Sequence, residues 1–158
     1  MDSSLKLRPA KYDDWKVSYI IKKRGLKNFV EKIWGWDENE QRQLHKVKFR
    51  PEKTQIIIFE KFEIGYLTTQ VSDKEIYIEN LILKPKFQNK GFGTKLMNEI
   101  SNKADQEGKA VRLKVLEINK KAIAFYYYLG FEKISKSEHH YEMIKLATAI
   151  QKQRCLIY

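Results

Sequence analysis

A chain of 158 residues, 42% apolar, is long enough for one buried core; a single domain over 1–146 with an extension over 147–158 is expected. Its 31 Lys and Arg against 20 Asp and Glu leave a net charge of +11, yet the cations interleave with Glu and Asp and form no basic–aromatic recognition motif, which argues against nucleic acid as the main partner. No apolar run reaches membrane-helix length, Met1-Asp2-Ser3-Ser4 lacks the apolar stretch of a secretory leader, and the lone Cys155 cannot form an internal disulfide, so no membrane partner and a cytoplasmic location are expected.

Leu5–Arg8 reads as a short strand ended by Pro9. Residues 11–23 and 26–34 read as two helices with Gly25 between them, and a further helix is expected from Asp37 to about Val47. Between these helices Trp34, Trp36, Asp37, Glu38 and Glu40 combine aromatic faces with carboxylates, a pairing that suits a cationic amine. Trp34, Trp36, Asp37 and Glu38 are therefore candidate acceptor contacts. Asp37 with Glu40 also makes a helix-capping box, and the tryptophans would equally serve a core.

Thr54–Glu60 and Gly65–Val71 are expected to form an antiparallel pair, followed by a strand over 75–84. Next comes Gln88-Asn89-Lys90-Gly91-Phe92-Gly93-Thr94, where strand should turn into helix. Leu96, Met97, Ile100 and Ala104 then recur at helical spacing until Gly108. First-turn N–H groups lack intrahelical partners, the helix dipole favours an anion there, and glycine admits close backbone approach, so the loop suits a pyrophosphate. It is neither a P-loop nor a dinucleotide fingerprint, since Met97 stands where a third glycine would be needed. A purely structural turn would look the same.

A strand over 110–118, a helix over 120–129 and strands over 131–136 and 140–146 complete the pattern. This order predicts an α/β fold of the α+β type: a mixed, largely antiparallel sheet of six to seven strands flanked by helices. His139-His140 without further ligands is a weak metal signal, and no metal site is expected. The apolar end Leu156-Ile157-Tyr158 suits docking on the sheet or on a second copy in a homodimer.

Two motifs together resemble the GNAT superfamily of acetyl-CoA-dependent N-acetyltransferases. The family's loop, Gln/Arg-x-x-Gly-x-Gly/Ala after a strand, is matched by Gln88, Gly91 and Gly93. Its later motif, Asn-x-x-Ala-x-x-Phe-Tyr-x-x-x-Gly-Phe, is matched by Asn119, Ala122, Phe125, Tyr126, Gly130 and Phe131. The resemblance implies acetyl-CoA as cofactor, held where the strands near 75–84 and 110–118 run parallel and splay apart. It implies that Gln88, Asn89, Lys90, Gly91, Phe92, Gly93 and Thr94 wrap the pyrophosphate. Backbone groups of Leu81, Ile82 and Leu83 would bond the pantetheine like an added strand.

Tyr126 matches the tyrosine that protonates the departing thiolate; packing beside Ile123 and Leu129 is its bland reading. Asn119 reads as a helix N-cap and, by resemblance, also a cofactor contact. Members that acetylate ribosomal-protein N-termini carry a glutamate where this chain has Lys114, which leaves Glu79 as the leading candidate base, ahead of Glu117 or a water chain. The implied activity is acetyl transfer to a primary amine by direct attack in a ternary complex. The acceptor is expected to be a small cationic amine, with a protein or peptide amine and a non-catalytic CoA-binding domain as alternatives.

Overall fold

The computed structural model describes residues 5–156. Among them are strands β1 (Leu5–Pro9), β2 (Thr54–Phe59), β3 (Phe62–Val71), β4 (Glu75–Leu83), β5 (Ala110–Leu116), β6 (Glu132–Lys136) and β7 (His140–Lys145). The helices are α1 (Trp15–Trp34), α2 (Glu38–Lys48), α3 (Phe92–Gln106), α4 (Lys120–Tyr128) and α5 (Thr148–Cys155). The sheet order is β1-β2-β3-β4-β5-β7-β6. The β4–β5 pair is parallel, whereas β1–β2, β2–β3, β5–β7 and β7–β6 are antiparallel. This is the mixed fold class the element order predicts. The chain divides into two compact units: one holds the described residues up to Thr69 with Asn80–Phe92, the other Gln70–Glu79 and the described residues from Gly93 onward.

In the first unit Ile21 of α1, Ile56 of β2, Tyr66 of β3 and Ile82 of β4 form a buried cluster, with Val17, Leu26 and Ile58 packed against it. Removal of such side chains from water is the main force assembling this unit. The predicted break at Gly25 does not occur, and α1 runs unbroken from Trp15 to Trp34. A Cβ at Gly25 would stand 2.8 Å from Cγ2 of Ile82, so this glycine serves close helix–strand approach rather than a turn. The helix ends instead at Gly35, whose φ of 78° is left-handed.

A polar pair lies beneath α2. Ser18 Oγ donates to the Trp15 carbonyl at 3.1 Å and lies 2.7 Å from Nε2 of His45. Which of the two atoms donates is set by the imidazole tautomer. Burial, and secondarily the charge of Lys22, push His45 down to about 4, so its imidazole is neutral in the fold. An unfolded histidine titrates near 6.5. The stability from this site is thus complete above that value and is lost as pH falls from about 6.5 towards 4, by up to about 3 kcal/mol. Chemical denaturation at a series of pH values should show that slope, and His45→Gln should flatten it. An unchanged slope in the variant would assign the effect to other groups.

In the second unit the β4–β5 ladder covers four pairs, from Glu75 with Ala110 to Ile78 with Leu113. Arg112 ties three strands together. Its Nε and Nη2 donate to both oxygens of Glu75 at 2.9 and 2.8 Å, Nη1 donates to Glu142, and its guanidinium carbon lies 4.5 Å from the Tyr77 ring centroid. The bidentate geometry is what favours arginine over lysine here. On α3, Leu96, Met97 and Ala104 are buried, following the helical periodicity of the sequence.

The C-terminal segment forms α5, whose first residue is held by Asp105: Oδ1 accepts from the Thr148 N–H at 2.7 Å and Oδ2 from its hydroxyl at 2.5 Å. Leu156 is 86% exposed, and Ile157 and Tyr158 lie outside the described residues. No helix among the described residues is long and apolar enough to cross a membrane.

Candidate active site

The end of β4 and the loop after it are shaped by close backbone approach. A Cβ at Gly65 of β3 would stand 2.4 Å from the Ile82 carbonyl oxygen and 2.7 Å from Cδ2 of Leu83, so only glycine fits there. The Lys84 N–H donates to the Ile64 carbonyl at 2.8 Å. Pro85, having no N–H to donate to a ladder, then opens a one-turn 3-10 helix, Pro85–Phe87.

Gln88 turns back on the strand it follows: its Nε2 donates to the Leu83 carbonyl at 2.9 Å. Asn89 (φ 59°) and Gly91 (φ 85°) both take left-handed backbone, which asparagine tolerates and glycine adopts without cost. A Cβ at Gly91 would meet nothing within 4 Å, so the space above this backbone is open. Phe92 opens α3 with its ring 4.7 Å from Phe59 and 6.4 Å from Phe87, centroid to centroid. The loop is therefore pinned at both ends, and α3 begins with first-turn N–H groups that have no intrahelical partner. Leu81–Leu83 and Gln88–Phe92 share the first unit, and the loop passes at Gly93 into the second.

In the second unit a Cβ at Gly93 would stand 3.3 Å from Cζ of Phe125, so the start of α3 lies against a ring of α4. Tyr126 follows, its ring 5.2 Å from Phe125 and 5.6 Å edge-on from Phe131. Tyr126 is half-buried, and desolvation pushes its phenol up to about 12. It is a neutral O–H donor at any physiological pH. The ring neighbours of Tyr126 are Phe125 and Phe131 rather than the Ile123 and Leu129 expected from helical spacing. Gly130 (φ 93°) ends α4, and the Phe131 N–H donates to the Tyr126 carbonyl at 3.0 Å. Tyr127 and Tyr128 are exposed. Asn119 caps α4: its Oδ1 accepts from the Ala122 N–H at 3.2 Å.

The candidate bases differ in what they touch. Glu79 is exposed on β4, one residue past the last β4–β5 pair, and accepts from Gln70 Nε2. Lys114 is exposed at the equivalent place on β5. Glu117 is held by Lys136 at 3.0 Å and accepts from the Tyr141 hydroxyl at 3.3 Å, contacts that lower its proton affinity. An ion-paired carboxylate of lowered proton affinity is a poor base at neutral pH.

Trp34, Trp36, Asp37 and Glu38 come together at the turn between α1 and α2, within the first unit. Asp37 is the α2 N-cap, its Oδ1 accepting from the Glu40 N–H at 2.8 Å, as the capping reading expects. Glu38 accepts from Trp36 Nε1 at 3.0 Å and from the Tyr19 hydroxyl at 2.8 Å, and pairs with Lys23 at 3.0 Å. The Trp36 bond first, then Lys23 and Tyr19, hold its carboxyl down to about 2. Trp36 also stacks on Tyr19 at 6.5 Å, and Trp34 is 55% exposed. Sequence reading missed the cradle at Gly65, the Gln88 tether and the ring behind Gly93. The only signal for them was glycine or a polar residue beside apolar strands.

Residues 24–131 match the model of the acetyltransferase (GNAT) family. The chain is 33% identical over 66 residues to thialysine N-epsilon-acetyltransferase of Mus musculus, which covers 41% of this chain and 39% of that protein. The chain thus spans about two fifths of the length of the first curated relatives it matches. It is 29% identical over 111 residues to N-alpha-acetyltransferase 50 of Danio rerio, covering 66% of each. In fold it is similar to the PaiA N-acetyltransferase of Thermoplasma acidophilum, crystallised with coenzyme A, at TM-score 0.73 and 20% identity over 90% of this chain and 99% of that one.

Proposed function

Because the chain belongs to the acetyltransferase (GNAT) family, we propose that it transfers acetyl from acetyl-CoA to a primary amine by direct attack in a ternary complex. The observation that carries this reading is the pinned loop with open backbone space over Gly91 at the start of α3. That cradle fits a pyrophosphate: Gln88, Asn89, Lys90, Gly91, Phe92, Gly93 and Thr94 would offer it backbone donors, with Lys90 adding charge at the rim. Leu81, Ile82 and Leu83 would present backbone groups to the pantetheine, and Asn119 a polar side chain beside its cap role.

When bound, acetyl-CoA supplies an acyl group activated as a thioester. Glu79, directly or through water, takes a proton from the acceptor ammonium so that the amine lone pair can form the new C–N bond. Tyr126, kept protonated by its raised proton affinity, would hydrogen-bond the sulfur as the C–S bond breaks, and the second proton, shed by the nitrogen as it becomes an amide, would pass through this hydroxyl to the departing thiolate. No nucleophilic serine or cysteine is needed, and Cys155 is exposed on α5.

For the acceptor we favour a small cationic amine. The Glu38 carboxylate stays ionised beside Trp36 at the turn after α1, and an arriving ammonium would have to displace the Lys23 Nζ that pairs with it at 3.0 Å. The similarity to an N-alpha-acetyltransferase over the longer stretch supports the second reading, a peptide amine.

Titration calorimetry with acetyl-CoA tests the cofactor assignment. Binding in the micromolar range is expected, with a loss of at least tenfold in Gly91→Val, where a β-branched residue must take left-handed backbone. Thiol release with a panel of diamines, lysine analogues and short peptides then sorts the acceptors. Absence of acetyl-CoA binding, or equal binding by the Gly91 variant, would refute the loop's assigned role.

A further inference from the structure

A second basic site lies wholly within the first unit, outside the loop assigned to the pyrophosphate. A cavity of about 610 Å³ is lined by Arg24 of α1, by Lys61 and Phe62 at the β2–β3 turn, and by Lys84, Lys86 and Phe87 after β4. Its volume falls in the range of small-molecule sites. The cations enter none of the ion pairs of this unit, which join Arg8 to Asp14 and Glu63 and Lys23 to Glu38 among the described residues. The carboxylate in the lining is Glu63; it shares the Arg8 guanidinium with Asp14 and so keeps part of its charge, one carboxylate against four cations. Four positive groups around one cavity repel one another, so a multivalent anion there relieves repulsion as well as adding attraction.

The aromatic lining narrows the ligand class. Lys61 Nζ stands 5.7 Å from the Phe62 ring centroid, and Lys86 Nζ stands 5.9 Å from that of Phe87. Phe62 is 49% exposed, an apolar ring kept at the surface of a charged cavity. Each lysine lies over a ring it can leave for a phosphate, freeing the ring face for a planar base. Inorganic phosphate or an acidic peptide would use the cations but leave the rings idle.

We propose that this cavity binds a nucleoside polyphosphate, its phosphates among Arg24, Lys61, Lys84 and Lys86 and its base against Phe62. Its lining segment Lys84–Phe87 runs between the residues assigned to the pantetheine and those assigned to the pyrophosphate, and as a separate site it would take ATP with acetyl-CoA already bound. The nucleotide portion of coenzyme A has the same chemistry, so the experiment separates the two sources.

ATP is titrated into the full chain, without divalent metal, in the absence and presence of saturating acetyl-CoA. The expected result is saturable binding in both, weakened at least tenfold in the double variant Lys61→Gln/Lys84→Gln. Phe62→Leu should weaken ATP severalfold while leaving inorganic triphosphate unchanged. A circular dichroism melt confirms that these surface variants fold. Loss of ATP binding under saturating acetyl-CoA, or an equal weakening of acetyl-CoA by the double variant, would make the cavity part of the cofactor site and overturn the proposal. Absence of ATP binding, or Phe62→Leu weakening neither ligand, would overturn it as well. Failure of acetyl-CoA to bind would leave the ATP titration in its absence fully informative.

Discussion

Tyr126→Phe should lower turnover on the order of 10²-fold while leaving acetyl-CoA affinity within about twofold. The substitution removes one hydroxyl and keeps the ring that packs on Phe125 and Phe131. A phenol pushed up to about 12 stays protonated through neutral pH, so its loss removes a donor at every assay pH rather than shifting a pH optimum. The departing thiolate must then take its proton from water. Steady-state thiol release from pH 6 to 10, beside calorimetry with acetyl-CoA, separates the outcomes. A uniform drop in kcat with unchanged Kd supports the proton-donor role. Unchanged kcat would return Tyr126 to a packing residue, and a parallel loss of Kd would make it a cofactor contact only.

Gly65→Ala is expected to have the largest effect on stability. A methyl group there meets the Ile82 carbonyl oxygen at 2.4 Å, and backbone cannot rotate aside as a side-chain tip can. Either β3 or β4 must move, disturbing a cluster that contains Tyr66 and Ile82. Overpacking of this kind costs about 3 kcal/mol, or roughly 10 °C in Tm for a chain of this size. Displacing the Ile82 carbonyl also shifts the backbone proposed to meet the pantetheine, so acetyl-CoA affinity should fall with it.

Gly25→Ala is the control. Its new methyl meets Cγ2 of buried Ile82 at 2.8 Å rather than a backbone atom, and alanine's gain of about 1 kcal/mol in helix propensity offsets part of that overpacking. Thermal melts should place Gly25→Ala within a few degrees of the parent and Gly65→Ala well below it. Equal melting points for the two would show that β4 can yield at Ile82.

Much of the site was legible because its chemistry is local. The turn from strand to helix at Gln88–Thr94, the helix face of Leu96, Met97 and Ala104, and the Asn119 and Asp37 caps depend on residues within one or two turns of each other. Periodicity and capping report such short-range relations directly. Gly25 misled for the opposite reason. In isolation a glycine between two apolar runs marks a break, and only the approach of Ile82 accounts for its place inside α1. Likewise the carboxylate of Glu38, read as open to an acceptor, is engaged by Tyr19 and Lys23 from the preceding helix as well as by Trp36.

By itself the sequence determined the mixed sheet, most of the order of elements and the two motifs that resemble the family, since each is written in contiguous residues; the unbroken α1 and the C-terminal α5 were not legible in it. Tertiary structure alone decided that Gly65 must be glycine, that His45 is buried neutral on Ser18, and that Arg112 binds carboxylates from β4 and β7 at once. Those facts join residues 27 to 37 positions apart in the chain or set backbone against backbone. Their energies exist only once the strands and helices are packed, where separation in space replaces separation in sequence.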